Sequence, residues 1–295
     1  MPYAGRLSLL FCAGSHCSCN IIHSVQYSAT ISPEATRTTL FGILVVAQHP
    51  LTTGQIIALG NALGISATNV KSHLTRMVAD GTVRRTGRKR FARYSPAGRG
   101  QDLIQGISAR LHVQRDQPWD GRWLVLMLRL PSDRSERGRL RDSLWFDGFR
   151  PWSPEVYLRP SWPNQWALMR ARAYVDRGMA LCVHGEVLGA VNWGRVRAMY
   201  RLGALDRAAA RLANEINAAV GRKRSGAEAF AARLNIGGRV ARLIAHDPRL
   251  PAALWKSQTG MQELRTAYQR FERKIGSHAQ EFVDQVLRTS VDARH

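Results

Sequence analysis

The fold is decided by residues Thr52–Ser95, which read TTGQIIALGNALGISATNVKSHLTRMVADGTVRRTGRKRFARYS. Gln55 follows Thr52 at the spacing of a capping box, which predicts that a helix begins there. Apolar residues then recur at helical spacing, at Ile56, Leu59 and Leu63. Gly64 lies where a helix end favours the left-handed conformation, and Ser66 is a suitable N-cap for a second helix. This stretch therefore predicts two helices joined by a tight turn.

One more helix is predicted before this pair and a hairpin after it. The upstream helix covers Thr38–Gln48, where apolar residues share one face, and Pro50 lies just beyond its end. Val83–Thr86 and Phe91–Ser95 read as two short strands, and the basic segment Gly87–Arg90 forms the tip between them. Three helices followed by such a hairpin are typical of a winged helix-turn-helix, which inserts its last helix into the major groove of DNA.

The second helix of the pair has two different faces. Its apolar positions share the face that packs inward: Ala67, Val70, Leu74, Met77 and Val78. The opposite face has polar groups at its centre, namely Asn69, Ser72 and Arg76. Further polar groups flank them, namely Thr68, His73 and Thr75. Arginine can bond guanine in a bidentate way, and asparagine can do the same with adenine. The alternative is an ordinary solvated face, which usually carries Glu and Lys at its centre.

These two elements supply the candidate DNA-binding residues. They are Ser66, Thr68, Asn69, Lys71, Ser72 and Arg76 on the helix, and Arg88, Lys89, Arg90 and Arg93 on the hairpin. We expect Asn69, Ser72 and Arg76 to contact bases, and the hairpin cations to contact phosphates or enter the minor groove. Between Lys71 and Arg99 the chain has nine cations and one acid, Asp80.

The composition agrees with a polyanionic partner. The 295 residues contain 43 Lys and Arg against 21 Asp and Glu, which gives a formal net charge of +22. Such an excess favours the phosphate backbone of DNA. A genome that uses arginine generously on solvated faces would give the same composition.

The N-terminal residues 1–32 fit nothing else in the chain. They are expected to be a disordered extension or the product of a start codon assigned too far upstream. Cys12, His16, Cys17, Cys19 and His23 fit no standard zinc spacing, so no metal site is predicted. The chain has only four cysteines, which favours a reducing cytoplasm. The apolar run Leu40–Ala47 is too short to span a bilayer, so no membrane association is expected.

Beyond the hairpin the chain predicts an α+β protein with two further domains. The predicted domains are a winged helix-turn-helix over 33–98, a linking helix over 99–118, a middle domain over 119–200 and a helical C-terminal domain over 201–295. In the middle domain the predicted strands are Arg122–Leu130, Phe149–Trp152, Val156–Arg159 and Met179–His184. A helix over Ser135–Phe146 and another after Arg159 complete a ferredoxin-like βαββαβ unit.

Two segments carry a resemblance to a known family. The stretch WDGRWLVLMLRLPSDRSERGRLRDSLWFDGFRPWSPEVYLRP (Trp119–Pro160) resembles the middle domain of the PaaX family of transcriptional repressors. HDPRLPAALW (His246–Trp255), with Ala267, Tyr268 and Phe271, resembles the C-terminal domain of that family. The similarity covers roughly residues 37 to 276. It implies binding of operator DNA through the N-terminal domain, repression of phenylacetate-type catabolic genes, and release by an aryl-acyl-CoA thioester.

The resemblance also implies a middle domain similar to the small nuclease of CRISPR adaptation, but this chain departs from that pattern. The nuclease has an Asp at the end of its first strand, whereas here that strand ends in Arg129-Leu130-Pro131 and Asp133 follows the proline. His184-Gly185-Glu186 opens like a zinc-deaminase signature, but no Pro-Cys-x-x-Cys follows. We therefore expect no catalytic residues, no metal and no cofactor.

Two other departures concern the effector. The segment Lys256–Gly260 replaces an acidic Trp-Pro segment of the family, and the stripe Leu205–Val220 is rich in alanine. No motif defines effector residues that could be carried over. The sequence thus predicts a cytoplasmic, homodimeric, non-enzymatic repressor that binds double-stranded operator DNA and responds to a small molecule, such as an aryl-CoA thioester. The alternatives are a nonspecific nucleic-acid-binding protein without effector and a metal-dependent nuclease.

Overall fold

The secondary structure is mixed α+β, as the sequence predicts, with two antiparallel sheets. The computed structural model describes residues 33–111, 118–187, 193–255 and 259–292. The predicted extension 1–32, with Cys12, His16, Cys17, Cys19 and His23, lies outside the described residues, and so does the side chain of Arg90.

The described helices and strands follow one another as follows. The helices are α1 (Pro33–Ala47), α2 (Thr53–Asn61), α3 (Ala67–Ala79), α4 (Arg99–Leu111), α5 (Arg134–Phe146), α6 (Asn164–Val175), α7 (Trp193–Tyr200), α8 (Leu202–Val220), α9 (Gly226–His246) and α10 (Thr259–Asp292). The strands are β1 (Leu51–Thr52), β2 (Val83–Thr86), β3 (Arg93–Pro96), β4 (Trp123–Leu128), β5 (Arg150–Pro151), β6 (Val156–Pro160) and β7 (Ala180–Gly185). Within the described part of the chain, no helix is both long enough and apolar enough to cross a bilayer.

The chain divides into two units that interleave along the sequence. The unit called here the N-terminal unit takes the described residues of His16–Ser108, Ala210–Arg242 and Glu263–His295. The central unit takes those of Ala109–Ala209 and Leu243–Gln262. Residues 201–295, predicted as one helical domain, therefore contribute to both units, and each of α4, α8, α9 and α10 changes unit along its length.

The helix pair of the N-terminal unit forms for the predicted reasons. The Thr52 side chain accepts a hydrogen bond from the Gln55 amide, and the Gln55 side chain accepts one from the Thr52 amide. Gly64 has a φ of +76°, which ends the first helix in a tight turn. Ser66 Oγ then accepts from the Asn69 amide 3.3 Å away and caps α3. The two predicted helices are thus present with their predicted caps.

Three details of the N-terminal unit differ from the predicted elements. Helix α1 begins at Pro33, five residues before the predicted start. Strand β3 begins at Arg93, two residues late, because Lys89–Phe91 forms a short 3-10 turn in which Lys89 has a φ of +50°. Strand β1 was not predicted, since two residues are too few to show alternation. It pairs with β3, with Leu51 opposite Tyr94.

The central unit contains a four-stranded antiparallel sheet in the order β5-β6-β4-β7. Helix α5 connects β4 to β5, and α6 connects β6 to β7. One face of the sheet packs on these helices through a buried apolar cluster that includes Leu124, Leu126, Leu144, Phe149 and Tyr174. The four strands and α5 lie within two residues of their predicted bounds.

Candidate nucleic-acid interface

Helix α3 separates its apolar residues from its polar ones. Val70, Leu74 and Met77 are buried against the rest of the N-terminal unit. The side chains of Ser66, Thr68, Asn69, Lys71, Ser72 and Arg76 are all exposed. The candidate contact residues of this helix therefore share one accessible surface, which carries no acidic side chain.

His73 is the exception, and the prediction for this residue was wrong. It was placed beside the polar face, but it is only 8% exposed. The reason is geometric, because position 73 lies between Val70 and Met77 on the inner side of the helix. Burial lowers the pKa of His73, and the nearby cations Arg76 and Arg37 lower it further. His73 is therefore neutral at pH 7 and belongs to the packing of the helix.

The hairpin presents a second set of cations. The side chains of Arg84, Arg85, Arg88, Lys89 and Arg93 are exposed. Arg93 Nη1 also donates to the Pro50 carbonyl at 3.4 Å, which ties β3 to the start of β1. Together with α3, these residues form the helix–hairpin surface, defined here as the exposed polar and cationic side chains of residues 66–93.

Gly87 shapes the tip of the hairpin. It has a φ of +75°, and a Cβ atom there would lie 2.7 Å from the Phe91 carbonyl oxygen. A residue other than glycine would have to displace that backbone. Phe91 is 70% exposed beyond this turn, so an aromatic ring stands among the cations.

The charge of this surface is not neutralised by neighbouring acids. The one carboxylate of the region, Asp80, is bonded to Arg37 and accepts the Thr82 amide at 3.0 Å. Among the described residues, no carboxylate forms an ion pair with the cations exposed on the surface, namely Lys71, Arg76, Arg84, Arg85, Arg88 and Lys89. The helix–hairpin surface is thus a basic surface with polar groups at its centre, which suits a phosphate backbone flanking base edges.

A group of buried arginines in the central unit was not predicted from the sequence. Arg110, Arg150, Arg159 and Arg249 are each at most 7% exposed. They stack on aromatic rings, with the Arg150 guanidinium 4.0 Å from the Trp145 ring centre and that of Arg249 4.6 Å from the ring centre of Trp166. No sequence signal marks them, because an arginine in a basic chain is expected at the surface.

These arginines are held mainly by backbone carbonyl groups. Arg159 donates to the carbonyl oxygens of Pro160, Asp147 and Trp162. Burial lowers the pKa of Arg159 to about 9 and that of Arg150 to about 10. The cluster therefore fixes the loops around α5 and β6 at a cost in desolvation, and it forms part of the architecture of the central unit.

The tryptophans were predicted to be mostly packing residues, and their environments differ. Trp123 and Trp162 are buried, whereas Trp152 is 45% exposed. The Arg195 guanidinium covers the Trp152 ring at 3.7 Å. Trp152 thus differs from the buried Trp123 and Trp162 in being exposed, with a cation stacked on its ring.

Two carboxylates of the central unit, Asp133 and Asp147, have structural partners. Asp133 caps α5, since its side chain accepts from the Glu136 amide at 2.7 Å and from the Ser135 hydroxyl at 2.6 Å. Asp147 is buried, with an ion pair to Arg170 at 2.7 Å. Within the described ranges, no three His, Cys, Asp or Glu side chains cluster as metal ligands would.

The geometry defines an α+β protein with a basic helix–hairpin surface and a four-stranded antiparallel sheet unit. Comparisons with known proteins show what the sheet unit is similar to. Residues 116–185 match the family described as the PaaX protein central Cas2-like domain. The resemblance to the PaaX family indicated by Trp119–Pro160 is therefore confirmed, since this part of the chain is similar to a PaaX-type central domain.

Two individual proteins extend the comparison. The chain is 29% identical over 110 residues to the transcriptional repressor PaaX of Escherichia coli strain K12, which covers 37% of this chain and 34% of that protein. The chain thus matches about a third of the length of this curated relative. The uncharacterized protein Rv0674 from Mycobacterium tuberculosis superposes with a TM-score of 0.54 and 20% identity, over 87% of this chain and all of that one. This second likeness concerns the fold alone.

Proposed function

We propose that the chain is a DNA-binding transcriptional repressor of the PaaX type, and that residues 33–98 form its winged helix-turn-helix domain. The observation that carries the proposal is the exposed outer face of α3, with Asn69, Ser72 and Arg76, followed in the chain by a hairpin whose cations are also exposed. The name of the curated relative, a transcriptional repressor, supports a regulator rather than an enzyme.

The two parts of the helix–hairpin surface take different roles. Arg76 and Asn69 read base edges in the major groove, because they are the side chains suited to guanine and adenine. Arg88, Lys89 and Arg93 contact phosphates. Each such contact makes the slope of the logarithm of the binding constant against the logarithm of salt concentration steeper by about one. The neutral Ser72 lets the helix approach the groove closely.

The topology of the central unit supports a ferredoxin-like domain. Its order of elements is β4-α5-β5-β6-α6-β7, a βαββαβ sequence, and the strands are arranged β5-β6-β4-β7. Asp133 caps a helix here and is not free at a strand end, which weighs against the nuclease alternative.

The outer face of this sheet supports a homodimer. Met127 lies opposite Leu181 and Val125 lies opposite Val183, on the face turned away from α5 and α6. Leu181 is 69% exposed and Val183 is 51% exposed. Antiparallel sheets with one solvated face usually alternate apolar and polar residues, so an apolar outer face favours a covering partner. A second copy of the chain would bring two α3 helices to a pseudo-palindromic operator.

We further propose that a small-molecule effector, such as an aryl-acyl-CoA thioester, releases the DNA, and that the controlled genes belong to phenylacetate-type catabolism. The support for both points is the PaaX resemblance. For release, the effector must bind the DNA-incompetent state more tightly than the competent one. A change in the spacing of the two α3 helices in a dimer would be sufficient.

The formal charge of +22 favours a second candidate, a nucleic-acid-binding protein without sequence preference or effector. This candidate predicts a steep salt dependence and equal affinity for all sequences.

A fluorescence anisotropy titration separates the two candidates. The labelled probe is DNA from upstream of the gene for this chain, the competitor is scrambled DNA, and phenylacetyl-CoA and Mg²⁺ are added in separate arms. Competitor-resistant binding that the thioester releases is the result expected for the repressor. Equal binding to scrambled DNA, unchanged by the thioester, would leave the nonspecific binder. Cleavage of the probe in the Mg²⁺ arm would instead favour a nuclease.

A further inference from the structure

The central unit contains a pocket of about 380 Å³ that the helix–hairpin surface does not explain. Three segments line it: α7, the first two turns of α8, and the loop that follows α9. This volume is at the lower end of the roughly 300–1,000 Å³ of known ligand pockets, so it suits a small molecule.

One wall of the pocket is apolar and firmly held. Leu202, Leu254 and Trp255 line it, and each is at most 5% exposed. Because these side chains are packed on most of their surface, the wall keeps its shape when a ligand enters. A flat ring next to the Trp255 indole is the kind of group that such a wall accommodates.

The rest of the lining includes two cations. Arg197 and Arg207 line the pocket, their side chains are exposed, and no described carboxylate forms an ion pair with either of them. Arg207 Nη1 lies 3.3 Å from the position of a Cβ on Gly203, so this guanidinium lies against the first turn of α8. The N-terminal end of this helix adds positive potential of its own.

The pocket also has one acid, Asp206, which offsets only part of the charge of the two arginines. Asp206 Oδ1 accepts from the Met261 amide at 3.2 Å, which places the carboxylate at the first turn of α10. Its negative charge therefore compensates the N-terminus of a different helix. The pocket as a whole combines an apolar wall with two arginines and a net positive potential.

We propose that this pocket binds a small carboxylate attached to an aromatic ring, with the ring against Trp255 and the carboxylate between Arg197 and Arg207. The inference goes beyond the proposed function, because it assigns the pocket to a free aryl acid and not to the aryl-acyl-CoA thioester proposed above to release the DNA. A free aryl acid and an aryl thioester both offer an aromatic ring to Trp255. We assign the pocket to the free acid, because a thioester carries no negative charge next to its ring.

Isothermal titration calorimetry on the full chain, without DNA, tests the proposal directly. The probes are benzoate, acetate, benzyl alcohol and phenylacetyl-CoA. We expect saturable binding of benzoate, and much weaker binding of acetate, which lacks the ring, and of benzyl alcohol, which lacks the charge. No saturable binding of benzoate, or binding of the thioester alone, would overturn the proposal.

Matched variants locate the binding. Arg197→Gln and Arg207→Gln should each weaken benzoate about 10-fold, the loss expected for one charge-assisted hydrogen bond. Arg172→Gln is the control, since Arg172 is an exposed arginine of the same unit that does not line the pocket. An equal loss in the control would mean nonspecific charge attraction and would contradict the assignment. Because calorimetry needs no DNA, failure of the repressor proposal would leave this result unaffected.

Discussion

At the scale of single residues, Arg76 is expected to determine base preference. Arg76→Ala should relax the preference for the operator and cost about 1–3 kcal/mol of binding free energy, because it removes a donor pair from a base edge. Lys89→Ala is the matched control, which should weaken all sequences about equally and lower the salt slope by about one. Anisotropy titrations on a panel of operator variants at several salt concentrations measure both. Unchanged preference in Arg76→Ala would refute the assignment of α3.

The cap of α3 gives a separate prediction at Ser66. Its hydroxyl accepts from the Asn69 amide, so Ser66→Ala should lower the free energy of unfolding by about 1 kcal/mol. Thr68→Ala is a suitable control, because Thr68 is exposed on the same helix and is not its N-cap. Urea denaturation followed by circular dichroism measures the difference. An equal loss in the two variants would argue against the cap.

His73 predicts a pH dependence. Its folded pKa lies below the ordinary value of 6.5, so the unfolded chain binds more protons than the folded one just below that pH. Stability is therefore complete above pH 6.5 and falls as the pH drops through the folded pKa. Thermal unfolding of the wild type and of His73→Gln between pH 5 and 8 tests this. The melting temperature of the variant should vary less with pH across the acidic range, and identical pH profiles would show that His73 is not responsible.

Arg159 is expected to be essential to the central unit. Arg159→Met removes the donors to three buried carbonyl groups, and we expect a loss of about 3 kcal/mol of unfolding free energy. Arg172→Met changes an exposed arginine in the same way and should be nearly neutral. Chemical denaturation of both variants provides the comparison. A stable Arg159→Met variant would mean that avoiding the desolvation of the charge offsets the lost bonds.

At the scale of elements, the hairpin tip is the sharpest test of local structure. Gly87 and Gly81 have φ angles of +75° and +74°, but only at Gly87 would a Cβ atom meet the backbone. Gly81→Ala should lower the free energy of unfolding by about 1–2 kcal/mol, which is the cost of placing alanine in the left-handed conformation. Gly87→Ala should also distort the hairpin and weaken DNA binding. Unfolding curves and anisotropy measured on the two variants separate the two effects, and equal behaviour would exclude a role for the contact with Phe91.

The elements that could be predicted from the sequence are those stabilised by residues close to them in the chain. The caps at Thr52 and Ser66 and the turn at Gly64 were predicted correctly, because each depends on residues within three or four positions. The two-residue strand β1 was not, since it exists only through its pairing with β3. The buried side of α3 was predicted correctly except at His73, which is buried although histidine is a polar residue type.

The central unit shows the same distinction. Its strands could be predicted because β4 is a continuous apolar run with turn residues on either side. The buried arginines could not, because their donors meet carbonyl groups supplied by the loops after α5 and β6. The pocket could not be predicted either, because its lining residues come from segments far apart in the chain. Leu202 and Trp255, for example, are more than fifty residues apart.

At the scale of the whole molecule, the outer face of the central sheet predicts self-association. Leu181→Glu should weaken the dimer about 100-fold, because it buries an unpaired carboxylate in an apolar interface. Leu168→Glu alters another exposed apolar residue of the same unit, on α6, and should leave the dimer intact. Sedimentation velocity over a range of concentrations measures the mass of each. A wild type that remains monomeric would refute the dimer.

The interleaving of the two units has a consequence for how the protein is made. The N-terminal unit takes its closing helices from residues 210–242 and 263–292. Gly42 of α1 lies against Leu234 of α9, and the rings of Phe230 and Phe282 meet 5.6 Å apart. A ribosome therefore releases the first helices long before it supplies the residues that complete their unit. A premature stop within the codons for residues 263–292 would therefore remove part of the unit that carries α3.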